Sequence, residues 1–172
     1  MNIQETDTRF SFFTPEKDAE YLRRAIEVGV KARNDGNNPF GAILVDNQGN
    51  IIMEQGNVEV TEKDCTGHAE TTLARKASHQ YDKSFLWNCT LYTSFEPCCM
   101  CTGAIYWANI GRIVYAASET ALLGETGDNE HNPTFDIDCR TILAKGQKQI
   151  VVRGPVPEQE KEALATHEGF WD

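Results

Sequence analysis

Apolar residues recur along the chain with two different periods, and these periods predict helices and strands. A helix begins after Thr14, whose side chain can cap it, and Pro15 suits its first position. Gly36 and Pro39 end this helix. Its apolar stripe has helical spacing and consists of Leu22, Ala25, Ile26, Gly29 and Val30. The pattern predicts three further helices, at 66–79, 97–108 and 158–166.

Short apolar runs bounded by turn residues predict the strands. They lie at 41–45, 51–54, 89–95, 112–117 and 149–152. The turn residues 46–50 join the first two runs and indicate a hairpin. The polar stretch 123–133 is predicted to be a loop. Because strands alternate with helices, we expect a single layered α/β domain over residues 1–172, whose strand order the pattern does not give.

The composition argues against two classes of partner. No run approaches the roughly 18 consecutive apolar residues of a membrane span. The N-terminal residues 1–13 lack the basic and apolar regions of a secretory signal. We therefore expect a cytoplasmic protein without a membrane partner. The formal net charge of −10 argues against a nucleic acid partner, because affinity for long polyanions comes largely from Lys and Arg.

Three side chains have the spacing of a metal site. Cys98 and Cys101 are three positions apart at a predicted helix start, so both lie on one face and can hold one ion. His68 can supply a third ligand, which leaves one tetrahedral position open for water, as in catalytic zinc sites. The first turn of a helix also favours a thiolate. We therefore predict one zinc ion per chain.

Glu70 follows His68 by two positions and has an evident task beside such a metal. Zinc lowers the pKa of its bound water to near 7. A neighbouring carboxylate can take that proton, deliver it to a ring nitrogen and later protonate a leaving amine. The residues thus predict hydrolysis of an amine, with Glu70 as the catalytic acid and base.

The other cysteine and histidine side chains show no spacing of a second site. Cys99 lies between the two predicted ligands but faces away from them. Buried or incidental thiols explain the remaining cysteines, which are Cys65, Cys89 and Cys139. Solvated side chains explain the remaining histidines, which are His79, His131 and His167.

The His-Ala-Glu segment at 68–70 and the Pro-Cys-Cys-Met-Cys segment at 97–101 match the H-x-E and P-C-x-x-C signature of zinc deaminases acting on nucleobases. The chain resembles the cytidine deaminase-like superfamily, over 38–117. It looks most like the branch that holds bacterial guanine deaminases, yeast-type cytosine deaminases and tRNA adenosine deaminases. The resemblance implies a three-layer α/β/α sandwich with a central mixed sheet of about five strands, and a homodimer.

The resemblance also suggests residues that contact the substrate. Asn57 matches an asparagine that hydrogen-bonds the base, with a simple turn residue as the alternative. Phe40 matches an aromatic residue that lines the base pocket, with core packing as the alternative. Backbone N–H groups around Ala69 are expected to hold the substrate. Asp128 matches an acidic residue of guanine deaminases or is a solvated loop acid, and Trp171 matches a pocket-covering tail, as a lid or a dimer contact.

Several functions are consistent with these motifs. A purely structural zinc site would need a fourth ligand such as Cys65 or Cys99, and it leaves Glu70 without a purpose. A tRNA or DNA editing deaminase shares the catalytic residues, but the glutamate-rich segment 155–168 is poorly suited to phosphates. A small nucleobase or nucleoside is therefore favoured. Guanine comes first and cytosine second, because the segment 103–108 is similar to guanine deaminases.

Overall fold

The computed structural model describes residues 7–172, and a five-stranded sheet lies at its centre. The strands are β1 (Gly41–Val45), β2 (Ile51–Gly56), β3 (Thr90–Phe95), β4 (Arg112–Ala117) and β5 (Val151–Arg153). Their order in the sheet is β2-β1-β3-β4-β5. Strand β1 pairs antiparallel with β2 and with β3, whereas β3, β4 and β5 run parallel. The sheet is therefore mixed, as expected.

The helices of the described chain cover both faces of this sheet. They are α1 (Pro15–Asn34), α2 (Glu59–Glu62), α3 (Ala69–Gln80), α4 (Lys83–Leu86), α5 (Cys99–Ala108), α6 (Glu119–Thr126), α7 (Cys139–Leu143) and α8 (Pro157–Ala165). Helix α1 begins at the predicted cap, because the Thr14 side chain accepts a hydrogen bond from the N–H of Lys17. Within residues 7–172, no helix has the length and apolar character needed to cross a membrane. Part of the N-terminal segment used to argue against a secretory signal lies outside the described residues.

Two apolar clusters, one on each face of the sheet, make the fold a three-layer sandwich. Ile43 and Val45 of β1 point toward α1 and α8, whereas Ala42 and Leu44 point toward α3 and α5. This alternation is the ordinary two-residue period of a strand. Because both faces are covered, all of β1 is buried, and so are β3 and β4. That burial explains why these strands read as continuous apolar runs in the sequence.

Helix α3 starts three residues later than the apolar pattern predicts. The Asp64 carboxylate accepts hydrogen bonds from the N–H and the hydroxyl of Thr66, and the Asp64 carbonyl accepts one from Gly67 N–H. These bonds hold residues 64–67 in a turn and compete with helix formation. As a result, His68 stands at the N-cap position of α3 with extended backbone.

The polar stretch 123–133 was predicted to be a loop, and this is wrong for its first four residues. They belong to α6, which begins after Ser118, whose hydroxyl oxygen accepts a hydrogen bond from Ala121 N–H. The buried side chain of Leu122 anchors the helix on the sheet. The short helices α2, α4 and α7 were also not predicted, because four or five residues are too few to show a helical period.

Candidate metal centre and substrate cavity

The predicted metal ligands meet where two helices begin. His68 is the N-cap residue of α3, and Cys98 is the N-cap residue of α5. Cys101 lies in the first turn of α5 and is buried. One ligand atom from each of these three side chains lies within 4.8 Å of the others. The chain thus gathers one imidazole and two sulfur ligands at a single point.

The distances among these ligand atoms fit zinc. His68 Nδ1 lies 3.6 Å from Cys98 Sγ and 3.6 Å from Cys101 Sγ. A tetrahedral zinc ion, with bonds of roughly 2.3 Å to sulfur and roughly 2.0 Å to nitrogen, requires about this separation. The described residues bring no fourth His, Cys, Asp or Glu into this group. A donor set of three ligands leaves the fourth position open, which is typical of catalytic zinc.

The electrostatics of the centre favour a thiolate on Cys98. A hydrogen bond from the Cys101 thiol, together with one from His68, lowers the pKa of Cys98 to about 4. The partner effects follow: the Cys98 thiolate raises the pKa of His68 to about 9 and raises that of Cys101 well above its usual range. The backbone N–H groups at the start of α5 add a positive end beside the sulfur atoms. A divalent cation is the natural replacement for the two protons that this cluster holds.

Glu70 lies on the first turn of α3, and its side chain is buried next to the ligands. Its Oε1 accepts a hydrogen bond of 2.7 Å from the Thr93 hydroxyl, and its Oε2 lies 3.5 Å from Cys101 Sγ. Burial raises the pKa of this carboxyl above its usual value, because the charged form loses its water. A carboxyl with a raised pKa is suited to carry a proton at neutral pH.

A cavity of about 280 Å³ opens beside the metal ligands. Its apolar wall consists of Phe40, Phe95, Leu122 and Phe135 together with Met100 and Pro133. Four carboxyl side chains also line it, namely Glu59, Glu70, Glu96 and Glu119. Phe40 packs edge-on against Phe95, with the ring centroids 5.4 Å apart. Flat apolar walls with a few polar groups are typical of a pocket for a planar ring.

The structure places two of the predicted substrate contacts close to this cavity but not in its lining. Ala69 is buried at the first position of α3, between His68 and Glu70. Asn57 is buried, and its Oδ1 accepts a hydrogen bond from Glu59 N–H. Its backbone N–H donates to the Phe40 carbonyl. These contacts fit the turn role considered for Asn57, while its side-chain N–H groups find no acceptor within residues 7–172.

The remaining two predicted contacts lie farther round the site. Asp128 is exposed after α6 and is not among the residues that line the cavity. Trp171 is docked and half-buried: its indole N–H donates to His167 Nδ1 at 3.1 Å. It lines a second, more open cavity that shares Glu59 and His131 with the first.

His167 was predicted to be a solvated side chain, and this is wrong. It is buried, and its ring lies 4.3 Å from that of Phe95 and 5.0 Å from that of Phe40, measured between centroids. Its Nε2 lies 2.9 Å from the Pro39 carbonyl, so the neutral ring donates there and accepts from Trp171 at Nδ1. Burial lowers the pKa of His167 to about 4. The tail therefore supports the aromatic wall of the cavity from behind.

Glu96 and Glu119 were not identified from the sequence, although Glu96 follows β3 directly and Glu119 follows β4 after one residue. Glu96 follows β3, and its buried carboxylate accepts hydrogen bonds from Glu119 N–H at 2.9 Å and from Cys139 N–H at 2.8 Å. It thereby ties α6 and α7 to the segment that carries Cys98. The carboxyl ends of neighbouring parallel strands form the usual ligand site of such sheets. Acidic residues near the ends of two predicted strands could therefore have indicated these two cavity residues from the sequence.

The model of the cytidine and deoxycytidylate deaminase zinc-binding region matches residues 15–117 of this chain. The chain belongs to this deaminase family. The matched range includes the strands β1 to β4, Glu70 and the three predicted ligands, and the His–Cys–Cys group described above fits a zinc site of such a domain. The protein is thus a zinc-binding deaminase.

The relatives of this chain include deaminases that are named for different substrates. A probable cytosine deaminase of Schizosaccharomyces pombe is 44% identical over 160 residues, which cover 91% of this chain and 94% of the relative. The guanine deaminase of Bacillus subtilis is 46% identical over 101 residues, covering 58% and 64% of the two chains. A solved tRNA:A34 deaminase shares the fold, with a TM-score of 0.68 at 24% identity, covering 86% of this chain and 99% of that structure.

Proposed function

We propose that this zinc-dependent deaminase hydrolyses the exocyclic amino group of a free nucleobase, and that guanine is its first candidate substrate. Guanine and water would then give xanthine and ammonia. The observation that carries the proposal is the position of Glu70, a buried carboxyl that lies both against the ligand Cys101 and in the wall of a cavity suited to a planar ring. A structural zinc site would not need this carboxyl, and the ligand group lacks a fourth member among residues 7–172.

Glu70 moves the protons in this reaction. Bound zinc lowers the pKa of its water to near 7 and so supplies a nucleophile at neutral pH. Because Thr93 occupies Oε1 of Glu70, Oε2 is the oxygen that takes the proton of the attacking water. The same oxygen gives this proton to a ring nitrogen. It then carries a second proton, from the hydroxyl group that has been added to the ring carbon, to the departing amine. Its raised pKa matches this role, because the carboxyl must both accept and give the proton near pH 7.

Thr93 is placed to stabilise both protonation states of Glu70. Its hydroxyl oxygen lies 2.7 Å from Glu70 Oε1 and 2.9 Å from the Phe95 carbonyl. When Glu70 is ionised, the hydroxyl donates to the carboxylate. When Oε2 is protonated, Oε1 is the carbonyl oxygen of the acid and still accepts from the same hydroxyl. One hydroxyl thus keeps Glu70 hydrogen-bonded in both protonation states.

Replacing Thr93 by Val should lower kcat about tenfold, because Glu70 then loses its fixed partner while the volume of the side chain is kept. Thr93→Ser retains the hydroxyl and should retain most of the activity. Steady-state kinetics and zinc content of both variants test this expectation. If the Val and Ser variants lose activity equally, packing explains the effect and the hydroxyl has no role.

The substrate ring is placed between the apolar walls near Phe40, with its amino group directed to the metal centre. Asn57 supports this position in two ways: it holds the Phe40 backbone, and its free N–H groups are available to a carbonyl or ring nitrogen of the base. The N–H groups at the start of α3, around Ala69, offer further donors. In this proposal Trp171 acts with His167 as a support and partial cover of the aromatic wall.

The cavity favours a neutral base over a phosphorylated substrate. Among residues 7–172, the lining contains four carboxyl side chains and no Lys or Arg. A phosphate group would meet like charge there without a cation to pair with it. The formal net charge of −10 likewise disfavours tRNA or DNA. These charges support a small neutral base as the substrate. The proposed location of the protein is the cytoplasm, as expected from the sequence.

Relatives of this chain support two candidate substrates, guanine and cytosine. The Bacillus subtilis guanine deaminase has the higher identity over the part that it matches, which supports guanine. The Schizosaccharomyces pombe relative matches nearly the whole chain, including the region after β4, and makes cytosine the second candidate. A homodimer is also part of the proposal, because it would cover the exposed side chain of Trp107 on α5.

Ammonia release from the zinc-loaded protein tests the function directly. Guanine, cytosine, adenine and their nucleosides are supplied in parallel, with Glu70→Gln as the inactive reference. We expect turnover of guanine that depends on Glu70. Turnover of cytosine instead would move the assignment to the second candidate, whereas release from structured tRNA alone would contradict the proposal of a small substrate.

A further inference from the structure

A second carboxyl group, that of Glu119, is buried in the wall of the cavity. It lies C-terminal to both zinc motifs in the sequence. It occupies the first position of α6, and only 5% of its surface is exposed. Its backbone N–H donates to Glu96 Oε2, so that the residue is tied to the segment leading to Cys98. The side chain lies in the cavity lining together with Glu70. Its place at the reaction site is therefore fixed by the fold.

Glu119 differs from the other three carboxyl groups of the cavity in having no hydrogen-bond donor among residues 7–172. Glu59 lies within reach of Asn38 Nδ2 at 3.2 Å. Glu70 is bound by the Thr93 hydroxyl, and Glu96 by two backbone N–H groups. No such contact forms with either oxygen of Glu119 inside the described chain. The side chain is otherwise buried and faces the cavity, so a ligand that supplies an N–H group there gives this carboxyl the donor that residues 7–172 do not.

We propose that Glu119 is a specificity-determining residue that accepts a hydrogen bond from an N–H group of the substrate ring. The inference rests on the proposed function, since it assigns a contact to the nucleobase in the same cavity. It commits to a neutral ring N–H as the partner, because the nearby acids repel anionic groups. Burial raises the pKa of Glu119 to about 8, and the nearby negative charges of Cys98, Glu70 and Glu96 contribute to this shift.

This contact would select among aminated rings. A free base carries ring N–H groups besides the amine that is removed, whereas methylation replaces one of these hydrogens. A site built around a hydrogen bond rejects analogues that lack the group, because the buried partner is then left unpaired. The carboxyl of Glu119 should therefore discriminate between a base and the N-methyl derivative that blocks the contacted position.

Steady-state kinetics of Glu119→Ala and Glu119→Gln, on the base that the wild-type protein deaminates, tests the proposal. For Glu119→Ala we expect KM to rise about 10- to 100-fold, the usual cost of leaving a buried hydrogen-bonding group of the substrate without its partner, with a smaller change in kcat. Glu119→Gln keeps the shape and one acceptor and should lose less. Zinc content should stay at that of the wild type in both. Glu125→Gln, an exposed acid on the same helix, is the matched control and should change nothing.

A double comparison with ring N-methylated bases separates substrate recognition from a structural role. In the wild type, one N-methyl derivative should be deaminated at least about tenfold less efficiently than the parent base. That penalty should largely disappear in Glu119→Ala, because the contact is already absent. An unchanged penalty, or normal KM in both variants while the wild type is active, overturns the role of Glu119 alone. Failure of the wild type to release ammonia from any base overturns the proposed function as well.

Discussion

Glu70→Gln is expected to lower kcat by about 10²- to 10⁴-fold while zinc content and thermal stability stay near those of the wild type. The amide keeps the size of the side chain and can still accept a hydrogen bond at Oε1 from Thr93. It cannot take a proton from water or return one to the ring, and general acid–base catalysis typically contributes a factor of this size. The pair of measurements is kcat, from ammonia release, and zinc per chain, from elemental analysis.

The zinc measurement decides how a loss of activity is interpreted. A Glu70→Gln protein that is inactive but fully loaded with zinc supports the proton-carrying role. Near-normal kcat would end that assignment. Loss of zinc together with activity would instead show that Glu70 organises the ligand group. Such a role would act through Cys101, whose Sγ lies 3.5 Å from Glu70 Oε2. Glu125→Gln serves again as the control for replacing an acid in this chain.

Cys101→Ala is expected to remove bound zinc and with it all measurable turnover. The remaining group would consist of one imidazole and one thiolate, and a catalytic zinc site in proteins ordinarily has three protein ligands. The variant should fold, because the Cys101 side chain is small and the apolar clusters on both faces of the sheet do not depend on it. Elemental analysis after dialysis, together with circular dichroism, measures zinc loss and folding in the same sample.

Two other cysteines provide matched controls for this experiment. Cys99→Ala changes the neighbouring residue of the same motif, and Cys89→Ala removes another buried thiol that does not belong to the ligand group. Both variants should keep one zinc per chain. Full zinc in Cys101→Ala would remove Cys101 from the ligand set, and zinc loss in Cys99→Ala would show that the motif holds its metal differently.

Much of the fold could be predicted because both periods of the apolar pattern are strong in this chain. Helix α1 shows its cap and stripe directly, and β1, β3 and β4 are continuous apolar runs because helices cover both faces of the sheet. The turn at residues 64–67 and the start of α6 depend instead on single side-chain hydrogen bonds, from Asp64 and Ser118. Such bonds leave no periodic trace.

The candidate metal centre was predicted from spacing because its ligands stand at helix starts, where a three-residue interval fixes their relative directions. Cys98 and Cys101 share one helix, so sequence and geometry are linked there by the helical period. Their meeting with His68 depends on tertiary packing, since His68 and Cys98 are 30 positions apart and α3 must pack against α5 to bring them together.

The amino-acid sequence by itself determined the elements, the layered α/β class and the chemistry of the metal centre, because these depend on local periods and on residue types. Only the tertiary structure decided which carboxyl groups share the cavity and which have partners. Glu119 became a candidate because, within residues 7–172, its oxygens have no hydrogen-bond donor, whereas those of Glu59, Glu70 and Glu96 do. Likewise, only the tertiary structure showed that His167, which was predicted to be solvated, is buried and hydrogen-bonded on both ring nitrogens. Burial and hydrogen-bond satisfaction are properties of distant segments packed together, and no short stretch of sequence specifies them.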